Sequence, residues 1–215
     1  MDMKQEPLCV IISGGAYCEL PDDTPKAEYL IACDRGWQYA EKMKLTPDYI
    51  IGDFDSAPQP ETEIPVERVP TRKDDTDTML AVRHALARGY RNVLIACAFG
   101  GRLDHSFANL QTAAFLVAHG ARARLVGVDT DALAFTGATQ RLPRRDGWSL
   151  SVFSLSERCE GVTICGTKYE CENECLTNAF PLGISNTWEA DAAEISVKNG
   201  ILLILQARLK AGEHI

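Results

Sequence analysis

The sequence predicts an α/β fold class: an N-terminal domain built on a mainly parallel sheet, followed by a C-terminal all-β domain. Three observations lead there. Apolar runs of strand length alternate with helical stretches over roughly the first 130 residues, as in βαβ units. Beyond about residue 135 the segments shorten, separate at turns and lack any long amphipathic helix. The 215 residues allow one or two domains, and 46% hydrophobic with 24% charged residues is ordinary globular usage with enough apolar material for a core.

The elements follow in order. Leu8–Ser13 is an apolar run ended by Gly14-Gly15, and Tyr29–Cys33 is a second strand ended by Asp34-Arg35-Gly36. A short helix fits Trp37–Lys44 and stops before Pro47; Tyr49–Ile51 is a third strand, closed by Gly52-Asp53. Val66–Val69 is a weaker strand. Met79, Val82 and Leu86 mark one face of a helix over Thr78–Arg88, closed by Gly89. Asn92–Ala98 is the strongest buried strand and breaks at Gly100-Gly101. Phe107, Leu110, Ala114 and Val117 mark the next helix face, ended by Gly120, and Arg122–Val128 is the strand after it. In the second half, Ser149–Ser154, Val162–Cys165, Ala193–Val197 and Ile201–Leu205 read as strands. Asn199-Gly200 predicts a hairpin between the last two. The pattern places the domain boundary between residues 137 and 138, giving domains 1–137 and 138–215.

Charge and composition narrow the function classes. Twenty-two Lys and Arg against 30 Asp and Glu give a net charge of −8. Such a surface suits neither a sequence-independent nucleic-acid binder nor an anionic membrane. No apolar run reaches transmembrane length, and the N-terminus lacks a signal-peptide pattern, so a cytoplasmic protein is expected. Eight cysteines are too few for a disulfide scaffold and are expected as thiols. Cys159, Cys165, Cys171 and Cys175 lack the paired spacing of a zinc site. Trp37 and Trp148 read as packing residues, whereas Tyr169 and Trp188, near polar turn-forming residues, could stack on an aromatic ligand, with ordinary packing favoured.

The chemistry concentrates in carboxylates. Asp34, Asp53, Asp55, Asp74, Asp77 and Asp104 each follow a strand or open a helix, so an open α/β sheet would gather them on the rim where such folds bind ligands. Asp53 and Asp55 are two apart in an extended segment and can face one hard cation. Lys73-Asp74-Asp75-Thr76-Asp77 carries more carboxylates than a helix cap needs. Gly100-Gly101-Arg102-Leu103-Asp104-His105 joins a flexible turn, helix-start amides for phosphate oxygens and a guanidinium fork. Each cluster alone could be a solvated turn or a cap. Together they suggest Mg²⁺-assisted phosphoryl chemistry. His105 is given no acid–base role.

In that order, Asp34-Arg35-Gly36, Gly52-Asp53-Phe54-Asp55-Ser56, Asp74-Asp75-Thr76-Asp77 and Gly100-Gly101-Arg102-Leu103-Asp104-His105 resemble the motifs of the thiamine pyrophosphokinase family. Gly166-Thr167-Lys168-Tyr169 and Gly183-Ile184-Ser185-Asn186-Thr187 resemble its thiamine-side motifs, so the resemblance covers nearly the whole chain. It implies a C-terminal β-sandwich and a homodimer with active sites at the subunit interface. It also implies Mg²⁺-dependent transfer of the pyrophosphoryl group of ATP to thiamine, giving thiamine diphosphate and AMP. By the same match, Asp53, Asp55, Asp77 and Asp104 would hold Mg²⁺ and the ATP phosphates, assisted by Asp74. Arg102 would neutralise charge on the transferring group. Gly100, Gly101 and Thr76 would shape the nucleotide site, and Asp34 and Ser56 count with the cofactor-binding residues. Tyr169 would stack on the pyrimidine ring, with Ser185 and Asn186 lining that pocket. Arg35 stands where some members have glycine, Tyr169 where some have tryptophan, and the Cys159–Cys175 stretch matches nothing in the family.

Three other readings compete: a pyrophosphokinase for another acceptor such as a pterin alcohol, a nucleotide-sugar transferase using Asp-x-Asp, and a non-catalytic thiamine or nucleotide sensor. Tyr169, Ser185 and Asn186 favour thiamine over a pterin. The further clusters at Asp74–Asp77 and Arg102–Asp104 disfavour the sugar transferase. A sensor has no need of the full carboxylate set.

Overall fold

A computed structural model describes residues 6–55, 58–213 and 215. It contains two compact units, which divide between Val128 and Asp129.

In the first unit the strands are β1 (Leu8–Ile12), β2 (Tyr29–Cys33), β3 (Tyr49–Gly52), β4 (Val66–Arg68), β5 (Asn92–Ala96) and β6 (Arg122–Val126). Its helices are α1 (Gly36–Lys42), α2 (Asp77–Ala87) and α3 (Leu103–Ala118). The strands run in the order β6-β5-β1-β2-β3-β4, and every pairing among them is parallel. Strands β1 and β2 are buried along their whole length, which is why they read as unbroken apolar runs rather than alternations. The edge strand β4, Val-Glu-Arg, is largely exposed. The order reverses at β1, and the loops after β1 and β5 are zipped together there. Ser13, Gly15 and Ala16 donate their N–H groups to the carbonyls of Ala96, Cys97 and Phe99. Such a reversal is the ligand crevice of open α/β sheets.

Both long helices exist where periodicity places them, but each buries a different face. On α3 the buried residues are Asn109, Thr112, Ala113, Leu116 and Val117, while Phe107 is 61% exposed. Asn109 turns inward because its side-chain N–H satisfies the Ala98 carbonyl at 2.7 Å, just beyond β5. On α2 the buried face is Thr78, Ala81, Val82 and Ala85, so small side chains let the helix lie close on the sheet. Thr78 Oγ1 meets Ser13 Oγ at 2.8 Å.

The second unit holds β7 (Thr130–Phe135), β8 (Ala138–Pro143), β9 (Trp148–Ser154), β10 (Arg158–Cys165), β11 (Cys171–Thr177), β12 (Gly183–Asn186), β13 (Ala192–Val197) and β14 (Leu202–Arg208). Strands β12-β9-β14-β7 pair antiparallel in one sheet and β11-β10-β13-β8 in another. Leu150, Val152, Leu202 and Ile204 from the first pack with Val162, Ile164, Ile195 and Val197 from the second in one buried cluster. This is the β-sandwich that the resemblance implies. Trp188 is buried in that cluster and donates its indole N–H to the Leu142 carbonyl, so it packs rather than facing a ligand.

Two expectations fail here. Residues 130–135, which the sequence reading places in domain 1–137 without a strand, form β7, which pairs with β14 in the second unit. Asn199-Gly200 does not close a hairpin. Strand β13 pairs with β10 and β8, whereas β14 pairs with β7 and β9, so this turn carries the chain from one sheet to the other. All eight cysteines are free thiols, as expected.

Candidate active site

Three carboxylates converge at the carboxyl ends of β2 and β3. One oxygen from each of Asp34, Asp53 and Asp55 lies within 4.8 Å of the other two. Gly52 makes this possible, because a Cβ there would sit 2.9 Å from the Asp34 Cα. The end of β3 can therefore press against Asp34, whose N–H donates to the Ile51 carbonyl at 2.8 Å. Asp34 and Phe54 both hold left-handed φ angles, 48° and 57°. Such conformations cost about 1 kcal/mol or more and cluster at functional sites. Gly52→Ala is expected to destabilise the fold by roughly 2 kcal/mol, since backbone and not a flexible side chain must yield. A thermal melt should fall by about 4–8 °C, and an unchanged melting temperature would contradict the close approach.

Lys73 ties this group to the start of α2. Its ammonium lies 3.2 Å from Asp53 Oδ2 and 3.0 Å from Asp77 Oδ1, with all three side chains largely buried. The electrostatics follow. Burial pushes the Asp53 carboxyl up, but the Asp55 N–H and Lys73 outweigh it and hold its pKa below the ordinary value. The charge of Asp53 raises that of Asp55. Burial raises Asp77, against the pull of Lys73 and with help from Asp53 and Asp34. Burial opposes the Lys73 charge, yet Asp77 and Asp53 raise its pKa overall. A compact all-oxygen acidic set that already draws in one cation suits a hard divalent ion such as Mg²⁺.

The other expected residues occupy varied places. Thr76 caps α2, accepting the Met79 N–H at 3.1 Å, so the cap is the threonine and not a carboxylate. Asp74 is exposed. Asp75, outside the expected set, pairs with Arg83 at 2.9 Å. Gly100 and Gly101 take φ of 94° and 72° between β5 and α3. Asp104 does not join the three-carboxylate group. It forms a two-pronged pair with Arg102 and accepts the His105 N–H at the exposed start of α3, and Arg102 holds its pKa down. Ser56 lies outside the described residues.

In the second unit the Gly166–Tyr169 loop joins β10 to β11. Tyr169 is 59% exposed, and Lys168 Nζ lies 5.4 Å from its ring centroid. Ser185 is exposed, with a left-handed φ of 58°, and its N–H donates to Ser151 Oγ. Asn186, expected to line a pocket, is instead buried, and its side-chain amide is bonded to the loop. Lys73 is the residue that sequence reasoning left without a role. Its spacing of four from Asp77 was the available signal.

Comparison with known proteins decides the family. Residues 22–125 match the model described as thiamin pyrophosphokinase, catalytic domain, and residues 139–202 match thiamin pyrophosphokinase, vitamin B1 binding domain. The chain belongs to the thiamine pyrophosphokinase family. The thiamine pyrophosphokinase of Bacillus subtilis (strain 168) is 26% identical over 207 residues, covering 92% of this chain and 97% of the relative. A crystal structure of thiamine pyrophosphokinase from Bacillus subtilis superposes with a TM-score of 0.81 at 25% identity, over 94% of this chain and 99% of that one. One from Geobacillus thermodenitrificans gives 0.77 at 25% identity, over 93% and 97%. As a thiamine pyrophosphokinase family member the chain is an enzyme of the transferase class. Its carboxylate group lies within the catalytic-domain match and the Tyr169 loop within the vitamin B1 binding match. No helix among the described residues is long and apolar enough to cross a membrane.

Proposed function

We propose that this enzyme transfers the pyrophosphoryl group of ATP to the hydroxyl of thiamine, giving thiamine diphosphate and AMP, with Mg²⁺ as the required ion. The convergence of Asp34, Asp53 and Asp55 carries this reading. A bound Mg²⁺ supplies charge neutralisation on the phosphate oxygens. The chain's own residues do the rest. The three carboxylates, with Asp77 linked to Asp53 through Lys73, would hold the ion at the carboxyl ends of β2 and β3. The guanidinium of Arg102, 74% exposed at its side chain, can exchange Asp104 for oxygens of the transferring group. Asp104 then remains as a further hard ligand near the α3 N-terminus. The hydroxyl oxygen bonds to the β-phosphorus as its proton passes to solvent or a site carboxylate, and the β-phosphorus–oxygen bond of the α–β bridge breaks, so that AMP leaves with the bridging oxygen. Tyr169 offers an exposed face for the pyrimidine ring, and Ser185 of the same unit is also exposed.

The same reading makes the enzyme a cytoplasmic homodimer with its sites at the subunit interface. Leu103 and Phe107, 83% and 61% exposed one turn apart on α3, are apolar surface that such an interface would cover. The test is turnover with ATP and Mg²⁺ using thiamine and, separately, a hydroxymethylpterin as acceptor. Product with thiamine alone, abolished by EDTA, is expected. Product with the pterin alone would reassign the acceptor, and saturable thiamine binding without product would reassign the chain as a sensor.

A further inference from the structure

Asn186 shares its motif with Ser185, yet its side chain faces inward and is 4% exposed as a residue. The primary amide has two N–H donors and two acceptor lone pairs. All four are used within the protein. Nδ2 donates to the Tyr169 carbonyl at 2.7 Å and to Thr167 Oγ1 at 3.0 Å. Oδ1 accepts the N–H groups of Tyr169 at 3.0 Å and of Thr187 at 2.9 Å. One buried side chain thus grips both backbone polar groups of Tyr169, as a neighbouring strand would, and has no capacity left for a ligand.

The surroundings reinforce the grip. Thr167 is 2% exposed, bridges to Trp188 and donates its hydroxyl to the Tyr169 carbonyl. Lys168 donates its N–H to the Thr187 carbonyl. At Gly166 a Cβ would lie 2.4 Å from the Ala192 carbonyl oxygen, so the loop root is pressed on β13 with no room for a side chain. A backbone fixed this firmly beneath a ring this exposed is a preorganised stacking surface, with only two side-chain torsions left to order on binding.

We propose that Asn186 is a positioning residue for Tyr169, clamping the Gly166–Tyr169 loop so that the ring meets the acceptor in one orientation, and that Asn186 does not itself bind the acceptor. The inference rests on the reading of Tyr169 as the stacking surface for thiamine.

Steady-state kinetics on the full-length enzyme and on N186A, Y169A and the double variant test it. N186A is expected to raise the thiamine KM about tenfold, the effect of leaving buried backbone groups unpaired. Its kcat and ATP KM should stay within about twofold. The double variant should be no worse than Y169A alone, because the clamp acts only through the ring. N186S keeps a short hydroxyl able to serve one of the four Asn186 contacts and buries no charge. It is expected to show a smaller rise in thiamine KM, and it supports the same comparison if N186A folds poorly. Additive effects in the double variant, or an equal rise in ATP KM, would overturn the clamp while leaving the stacking surface in place. An unchanged thiamine KM in Y169A would overturn the stacking surface and the clamp with it. Absence of thiamine turnover in the unmodified enzyme would overturn the proposed function itself.

Discussion

Replacing Asp53 or Asp55 by asparagine is expected to lower kcat/KM by a hundredfold or more, on the order of the several kcal/mol that a positioned metal ion contributes to a transition state. The fold should survive. Asp55 is exposed, and an asparagine at position 53 retains a side-chain oxygen for the Asp55 N–H, which Asp53 Oδ1 accepts at 3.1 Å. What is lost is a charged oxygen from a three-carboxylate group, and hard cations discriminate strongly between carboxylate and amide. Binding of Mn²⁺ to the protein without substrates, followed by electron paramagnetic resonance, should weaken in parallel with activity. Wild-type turnover together with unchanged Mn²⁺ affinity in Asp55→Asn would refute the metal assignment.

Lys73→Met is the second large effect. The substitution removes the cation that lies between Asp53 and Asp77 and leaves two largely buried carboxylates to repel each other. Removing one partner from a fully buried pair costs about 3–5 kcal/mol. With these side chains 9–21% exposed, a loss of roughly 2 kcal/mol is expected after allowance for solvent screening. The distinguishing sign is its dependence on divalent ions. In EDTA the variant should melt several degrees below the parent, by the size scaling of a chain this long. Added Mg²⁺ should recover more of that loss in the variant than it adds to the parent, because the ion replaces the missing ammonium. Equal Mg²⁺ stabilisation of both proteins would show that Lys73 is a structural ion pair unconnected to the metal site.

The contrast between the two halves of the chain has a physical basis. Central parallel strands are buried on both faces, so Leu8–Ile12, Tyr29–Cys33 and Asn92–Ala96 announce themselves as apolar runs. Of the strands the sequence does not predict, β8, β11 and β12 are mostly exposed, so burial imprints no pattern on Ala-Thr-Gln-Arg-Leu-Pro, Cys-Glu-Asn-Glu-Cys-Leu-Thr and Gly-Ile-Ser-Asn, whereas β7 is mostly buried and exposure does not explain its absence from the reading. Helix faces misled for a related reason. Periodicity follows large apolar residues, whereas α2 packs through alanines and α3 through Asn109 and Thr112. Asn199-Gly200 is a turn in both accounts, but a turn does not say which sheet the next strand joins.

The site was legible in its residue types and less so in its pairings. Asp53 and Asp55 do face one point, but through a turn and not the extended spacing: Phe54 between them holds a left-handed φ of 57°, and the Asp55 N–H bends back to Asp53 Oδ1. That Asp34 joins them depends on Gly52 admitting a neighbouring backbone, a contact between segments 18 residues apart that no local pattern encodes. Asp104 carries the right chemistry, yet Arg102 two residues before it is the nearer charge and takes the pair. Asn186 belongs to a motif matched with thiamine binding, but its own partners are the backbone that carries Tyr169.

The most direct test of the central claim follows the β-phosphorus. The enzyme is incubated with Mg²⁺, thiamine and ATP labelled at the β-phosphate, and the products are separated. The account predicts that the label leaves with thiamine diphosphate, that unlabelled AMP forms in equal amount, and that EDTA stops both. Label retained in ADP alongside thiamine monophosphate would mean transfer of the terminal phosphoryl group alone, and would contradict it.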